Sequence, residues 1–401
     1  MEAREAKRDA EMQQITQRLE EGIRTYLTSD HYTRYLNTMS RFHNYSINNI
    51  LMITMQRPDA TLVAGYSAWQ KYFHRHVKKG EKGIRIIAPV KSKQMHRQPR
   101  MDVLTNRPLL GPGGEPVMEE VTVTVPRFRP AVVFDISQTD GEPLPEVKVT
   151  ELAQRVPGFD RFREAFRRCA PVPVRFEEMA PDARGYYDGG ARQIVIRSGM
   201  SDAQTMKTMV HELAHAMMHD PEYLAQAGET KDAATREVEA ESVAYTVCAH
   251  FGLDTSDYSF PYISAWSGSR QPETLRASME QIRSAASGCI GAMEEQFRVM
   301  DRELAAEELA DRIMTVYRDI VPYSYDGMTQ AEIGRERDGL RDALAAGDTE
   351  DTFMSLYEIL ETRSDLTPAQ TTEVKALLDA VGAQREQGTF GIRSETERER
   401  E

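Results

Sequence analysis

The run His211-Glu212-Leu213-Ala214-His215 holds the residue types and the spacing most able to do chemistry in this chain of 401 residues. Helical residues four apart stand one above the other on the same face, so both imidazoles can reach one Zn²⁺. Glu212 then lies beside the ion, placed to take a proton from its water. Two histidines need a third protein ligand if water is to keep the fourth position. His219, in AMMHD, falls at the wrong spacing for a third histidine and reads as an outer or surface residue. The segment REVEAES offers Glu237, Glu239 and Glu241 instead. Glu237 and Glu241 share a helix face and Glu239 points elsewhere. This pairing suggests that Glu237 binds zinc while Glu241 orients a histidine through its free ring nitrogen, although both acids remain open as the third ligand. Tyr262 and His250 are candidate donors to a developing oxyanion.

These side chains need two helices. Ser201 and Gln204 fit a capping box, and Met206, Val210, Leu213 and Met217 give the first helix its core stripe. The second should span roughly 233 to 250 and stop at Gly252. Ahead of them, a helix around 150 to 169, a strand at VRFEEM and a hairpin GYYDGGARQIVIR, turning at DGG, complete a mixed domain. Nearer the N-terminus, Ile15, Leu19, Ile23 and Leu27 repeat at helical spacing, and a second helix runs from about Tyr45 to Pro58. Ser67 is read as the cap of a short helix carrying Trp69, Tyr72 and Phe73. A strand at IRIIAPV follows, then a long loop or insertion over 91 to 116, then strands at VTVTV and AVVF. TDGEPLPE marks a domain boundary near 142. From 272 onward the pattern is helical and charged, with Leu275, Met279, Ile282, Ile290 and Met293 on one amphipathic face, and the last residues, GIRSETERERE, read as disordered.

The net charge of −13 hides an asymmetry. Residues 31–100 carry 13 Lys or Arg against Asp59 and Glu81, or +11, whereas residues 131–401 carry 29 basic and 50 acidic residues, or −21. A basic block on an acidic chain is the footprint of a nucleic-acid-binding domain joined to something else. Binding single strands takes cations that track phosphates and flat side chains on which bases stack. Lys71, Arg75, His76, Lys78, Lys79, Lys82 and Arg85 supply the first; Tyr45, Tyr66, Trp69, Tyr72 and Phe73 are the candidates for the second. Lys78, Lys79 and Lys82 flank a glycine turn and are the leading phosphate contacts.

Composition narrows the rest. Hydrophobic residues make up 40% of the chain and no stretch reaches a membrane span, which excludes a membrane-embedded protein. The charged N-terminus lacks the apolar segment of a signal peptide, so the expected location is cytoplasmic. Cys169, Cys248 and Cys289 form no CxxC pair and are read as reduced, buried thiols.

The segments HELAHAMMHD and REVEAESVAYTVCAHFGLDTSDYSFPYISAWS resemble the metallopeptidase-like domain of ArdC-type antirestriction proteins, especially their LtrC-like relatives on conjugative elements. FHNYSINNILMITMQRPDATLVAGYSAWQKYFHRHVKKGEKGIRIIAPV resembles the single-stranded-DNA-binding domain of the same family. In the wider group that includes the ImmA and IrrE metallopeptidases, the glutamate ligand falls on Glu237 and an asparagine position on Glu241. The resemblance implies a zincin-like fold, a bound divalent metal, DNA binding and protection of incoming DNA from restriction. The expected protein is α+β: an α/β ssDNA-binding domain over 1–142, a zincin-like HExxH metallopeptidase domain over 143–298, and a helical extension over 299–401. Its expected activity is zinc-assisted peptide hydrolysis, with Glu212 as the base that later hands its proton to the leaving amine. Two alternatives are a DNA-binding antirestriction factor with a structural metal site, and an ImmA/IrrE-like peptidase that cleaves a repressor.

Overall fold

The computed structural model describes residues 19, 22, 29–101, 109, 115–143, 158–180, 182–253, 263–268, 270–322, 325 and 327–398. The chain divides into two compact units, Met1–Gly291 and Ala292–Glu401. Of the N-terminal helix read from Ile15 to Leu27, only Leu19 and Gly22 are described; the rest lies outside the described residues, as do 144–157 beside the expected boundary.

In the first unit, α1 (Ser29–Arg41) and α2 (Ile47–Gln56) lead into β1 (Val63–Gly65), α3 (Tyr66–Phe73) and β2 (Arg75–Val77). Ser46 caps α2 by accepting from the Asn49 N–H. The cap of α3 is Gly65 rather than Ser67, because the helix begins one residue ahead of the serine. Two long antiparallel strands follow, β3 (Ile84–Pro99) and β4 (Met118–Asp135). They correct the first part of the expected loop over 91 to 116: the strand that starts at IRIIAPV runs on to Pro99, and the runs VTVTV and AVVF belong to a single partner strand, while 102–108 and 110–114 lie outside the described residues. Pairing with the alternating valines of β4 extends the ladder through KSKQMHR, a stretch too polar to read as a strand alone. Near its base, side chains stand in for a further strand along β3. The Asn49 amide exchanges two hydrogen bonds with the Ile87 backbone, and Gln56 does the same with Arg85, all at 2.8 to 2.9 Å. β1 pairs with β4, and β2 with β5 (Thr139–Gly141).

The HExxH motif rests on α4 (Gly158–Cys169) and a three-stranded sheet ordered β6-β8-β7, made of Val174–Glu177, Gln193–Arg197 and Gly185–Asp188 respectively. α5 (Asp202–Met218) packs on β7 and β8, and α7 (Ala233–His250) packs on α5. Between them, the short α6 (Pro221–Ala227) is capped by Asp220. Ser201 caps α5 as expected, while the Gln204 side chain turns to Thr208 instead of closing the box. At Gly185, a Cβ would sit 2.8 Å from Thr208 Cγ2 and 2.9 Å from the Val195 carbonyl, so glycine is what lets β7 come this close to α5. The opposite flank of α7 meets α1: Tyr32 Oη lies 2.8 Å from Ser242 Oγ, and both residues are buried. α8 (Ile263–Gly268) follows, then the long α9 (Pro272–Ile320), whose Leu275, Met279, Ile282 and Ile290 are buried as the pattern requires. Cys169, Cys248 and Cys289 are all free thiols, and Cys169 is only half-buried.

The second unit is helical. Ala306, Leu309, Ala310 and Ile313 pack with buried residues of α10 (Gln330–Ala346), α11 (Glu350–Thr362) and α12 (Pro368–Arg398). α12 carries helical backbone through most of the tail expected to be disordered, whose Glu and Arg are good helix formers. Among the described residues, no helix is long and apolar enough to cross a membrane.

Candidate metal centre and nucleic-acid interface

α5 brings His211 and His215 onto one face, with their Nε2 atoms 3.1 Å apart. Glu237, from the first turns of α7, places Oε2 3.5 Å from His211 Nε2 and Oε1 3.5 Å from His215 Nε2. The three ligand atoms lie within 4.8 Å of one another. For a tetrahedral ion with bonds of about 2.0–2.1 Å, the ligand-to-ligand edge is about 3.3–3.4 Å. The observed separations straddle that edge, so this donor set fits a small divalent cation. Glu237 has a side chain 60% exposed, which leaves the cluster open to solvent on its side.

Glu241, one turn along α7, stands behind His211. Its Oε2 is 3.2 Å from His211 Nδ1, and its Oε1 is 3.5 Å from Lys207 Nζ. In the neutral ring, a carboxylate at Nδ1 holds the proton there and leaves Nε2 free to ligate. The geometry thus groups Glu237 with the histidines and puts Glu241 on the far side of the ring. Glu239 faces away from the cluster, as its place on the helix requires. His219 is buried, not on the surface, and bonds His215 from behind through Nδ1 at 3.0 Å.

Electrostatics follow from this packing. Burial pulls the His211 imidazole down, yet the hydrogen bonds of Glu237 and Glu241 overcome it and hold the ring up at about 9. Burial and the neighbouring His211 charge push His215 down to about 4. The His211 bond keeps Glu237 below the usual carboxylate range. Burial would raise Glu241, but His211 and Lys207 outweigh it and the carboxyl ends low. Glu212 behaves differently. It is buried, accepts a hydrogen bond from the Tyr187 backbone on β7, and is held above the usual carboxylate range by burial, with Glu237 adding and His211 opposing. A carboxylate moved toward neutrality beside such a candidate ligand cluster is suited to exchange protons there.

Of the two candidate oxyanion donors, Tyr262 lies outside the described residues. His250 is ruled out by distance: it is thirteen residues from Glu237, about 20 Å along the helix, and its Nδ1 is held 2.8 Å from the Ser40 carbonyl.

The basic block divides into cations exposed to solvent and cations engaged within the domain. Lys71, Lys79, Lys82 and Arg85 are exposed on α3 and around the glycine turn. Lys71 Nζ lies 4.9 Å from the centre of the Tyr72 ring, which is itself exposed. Lys78 and Arg75 have partners within the domain. Lys78 bonds the Ser137 carbonyl at 3.0 Å and pairs with Asp140 at 3.6 Å; Arg75 spends its guanidinium on Thr139 and the carbonyls of Gly141 and Glu142, tying β2 to β5. Among the aromatics, Tyr66 is 58% exposed and Tyr45 half-buried against Phe42. Trp69 is corrected as a stacking residue: it is wholly buried, donates from Nε1 to the Phe134 carbonyl at 2.8 Å and has no face to offer. What the sequence reading missed is the β3–β4 ribbon, which exposes Lys93, Arg97, Arg127 and Arg129 together with Phe128, 61% exposed. The cation-rich run KSKQMHR was its visible signal.

Residues 6–134 match the N-terminal domain of anti-restriction factor ArdC, and residues 168–257 match the IrrE N-terminal-like domain, a peptidase M78 model. The fold and site therefore define a metallopeptidase-like domain preceded by an ArdC-type N-terminal domain. Both domains occur in this chain in that order, the ArdC-type N-terminal domain first and the peptidase M78-type domain after it. An uncharacterized protein of Bacillus anthracis is 26% identical over 324 residues, covering 74% of this chain and 53% of that protein. The chain thus spans about half the length of the curated relative it matches. Two crystal structures of the antirestriction ArdC protein from plasmid R388 are also similar, each covering 63% of this chain and 84% of theirs. The metal-free form is 21% identical with a TM-score of 0.38, and the Mn(II)-bound form 19% identical with a TM-score of 0.35.

Proposed function

We propose that this chain is a cytoplasmic antirestriction protein of a mobile element that binds single-stranded DNA through residues 1–142 and hydrolyses a peptide bond in the domain at 143–298, with zinc held by His211, His215 and Glu237. The observation that carries the enzymatic half is Glu212: a structural metal site has no use for a buried carboxyl, raised above its ordinary range, next to the ligands. Bound zinc would supply Lewis-acid polarisation of the scissile carbonyl. Glu212 takes one proton from the attacking water as the C–O bond forms, and returns it to the amide nitrogen as the C–N bond breaks. Glu241 holds His211 in its ligating tautomer throughout. For the DNA half, Lys71, Lys79, Lys82 and Arg85 with Tyr66 and Tyr72 form an exposed cationic and aromatic surface, which the β3–β4 ribbon extends.

Metal content, hydrolysis of a peptide library and binding of a labelled oligonucleotide, all measured on one preparation of the full chain, test this reading. Close to one divalent ion per chain is expected, with hydrolysis lost in Glu212→Gln while the metal stays. A wild-type chain that binds metal and cleaves nothing would favour the structural-metal alternative.

A further inference from the structure

The second histidine of the motif has its own line of partners, leading from the ligand cluster into the core. His215 Nδ1 is 3.0 Å from His219 Nδ1, and His219 Nε2 is 2.8 Å from Glu239 Oε2. The same carboxylate receives Lys231 Nζ at 2.7 Å and Ser278 Oγ at 2.6 Å. His219 and Glu239 are both buried.

Proton accounting gives this chain a direction. A carboxylate already paired with an ammonium and a hydroxyl acts as an acceptor, so the His219 Nε2 that faces it donates. A neutral imidazole has a single N–H, which makes the His219 Nδ1 an acceptor. The proton in the 3.0 Å contact must then come from His215 Nδ1. His215 is left with a lone pair on Nε2, the atom that faces His211 and Glu237. In the reverse arrangement, a doubly protonated His219 would force the His215 proton onto Nε2, into the space an ion would take.

We infer that His219 and Glu239 are positioning residues that fix His215 as its Nδ1–H tautomer and hold its Nε2 open to a divalent cation. The inference rests on the metal-centre reading above. It gives the two ligands separate supports: Glu241 with Lys207 behind His211, and His219 with Glu239 behind His215.

Two-bond ¹⁵N–¹H correlation spectra of the full chain without metal, recorded at a pH above about 9 where the neutral His211 no longer donates from Nε2 to His215, read the tautomers directly. The expected wild-type pattern is His215 protonated at Nδ1 and His219 at Nε2. His219→Phe keeps a ring of similar bulk and leaves Glu239 with Lys231 and Ser278, so the buried carboxylate stays paired. It should return His215 to a mixture of tautomers and weaken Zn²⁺, measured by chelator competition, about 10 to 100-fold. His219→Asn, which can place an amide oxygen near the lost Nδ1, should restore most of the His215 signature. Should His219→Phe fail to fold, the wild-type spectrum and the asparagine variant still decide the question. His215 found with its proton on Nε2, or a folded His219→Phe with unchanged tautomer and affinity, overturns the inference. A wild-type chain that binds no metal sinks the metal reading instead, while the tautomer spectrum still reports on this one.

Discussion

Lowering the pH should weaken metal binding by a slope that the two histidines set unequally. In the metal-free chain His211 is held at about 9 and His215 at about 4, so at pH 7 the first carries an extra proton and the second does not. Glu237, kept below its usual range, is ionised throughout. Ligation by His211 must therefore expel one proton, because a ligating imidazole is neutral. Apparent affinity should rise about tenfold per pH unit from about 6 to 8, a total of about 100-fold or about 2.7 kcal/mol, and level off as the pH passes the His211 value. Only in acid near the His215 value does a second proton compete. Calorimetric titration of the full chain with Mn²⁺ or Zn²⁺ at pH 7, in buffers of different ionisation enthalpy, counts the protons directly: one is expected. Release of none, or of two, would refute the assignment of the raised group to His211. Glu241→Gln removes one of the two acids that lift His211, so the plateau should begin at lower pH.

Glu237→Ala should weaken metal affinity far more than Glu241→Ala, for which a loss of about 10 to 100-fold is expected; the reverse order in the same titration would make Glu241 the ligand. Glu212→Gln should leave metal affinity within a few-fold of wild type and slow any hydrolysis by about 10² to 10⁴, checked by initial rates on a cleaved peptide. Neutralising Lys79, Lys82 and Arg85 together should flatten the log–log salt dependence of oligonucleotide binding by about two units, near 0.7 per contact, and an unchanged slope would place the DNA elsewhere. Trp69→Ala should act on folding and not on stacking, lowering stability by about 3 to 5 kcal/mol in a denaturant titration because it empties a wholly buried site.

Much of this protein is written in local sequence. The spacing of His211 and His215 determines that they share a face, since helical geometry needs only four residues to act. Caps such as Ser46 and Ser201 are equally local, and the +11 block depends on composition alone. The roles of three glutamates two residues apart are another matter. Helical spacing separates Glu239 from Glu237 and Glu241, but it leaves open which of that pair meets the histidines and what the odd one meets instead. The sequence suggests an indifferent Glu239; packing of α7 on α5 and α9 buries it against His219, Lys231 and Ser278. Trp69 and the β3–β4 ribbon make the same point. An aromatic side chain reads alike whether it stacks on a base or fills a core, and a polar strand shows itself only when its partner, about thirty residues on, pairs with it. The sequence by itself determined the motif, its tautomer-sensitive ligand types and the charge asymmetry, because each depends on neighbours within a turn or on simple counts. The rotation of one helix against another, and with it the division of labour among Glu237, Glu239 and Glu241, was decided by tertiary packing, because contacts between residues 20 to 40 apart are set by how whole faces bury one another.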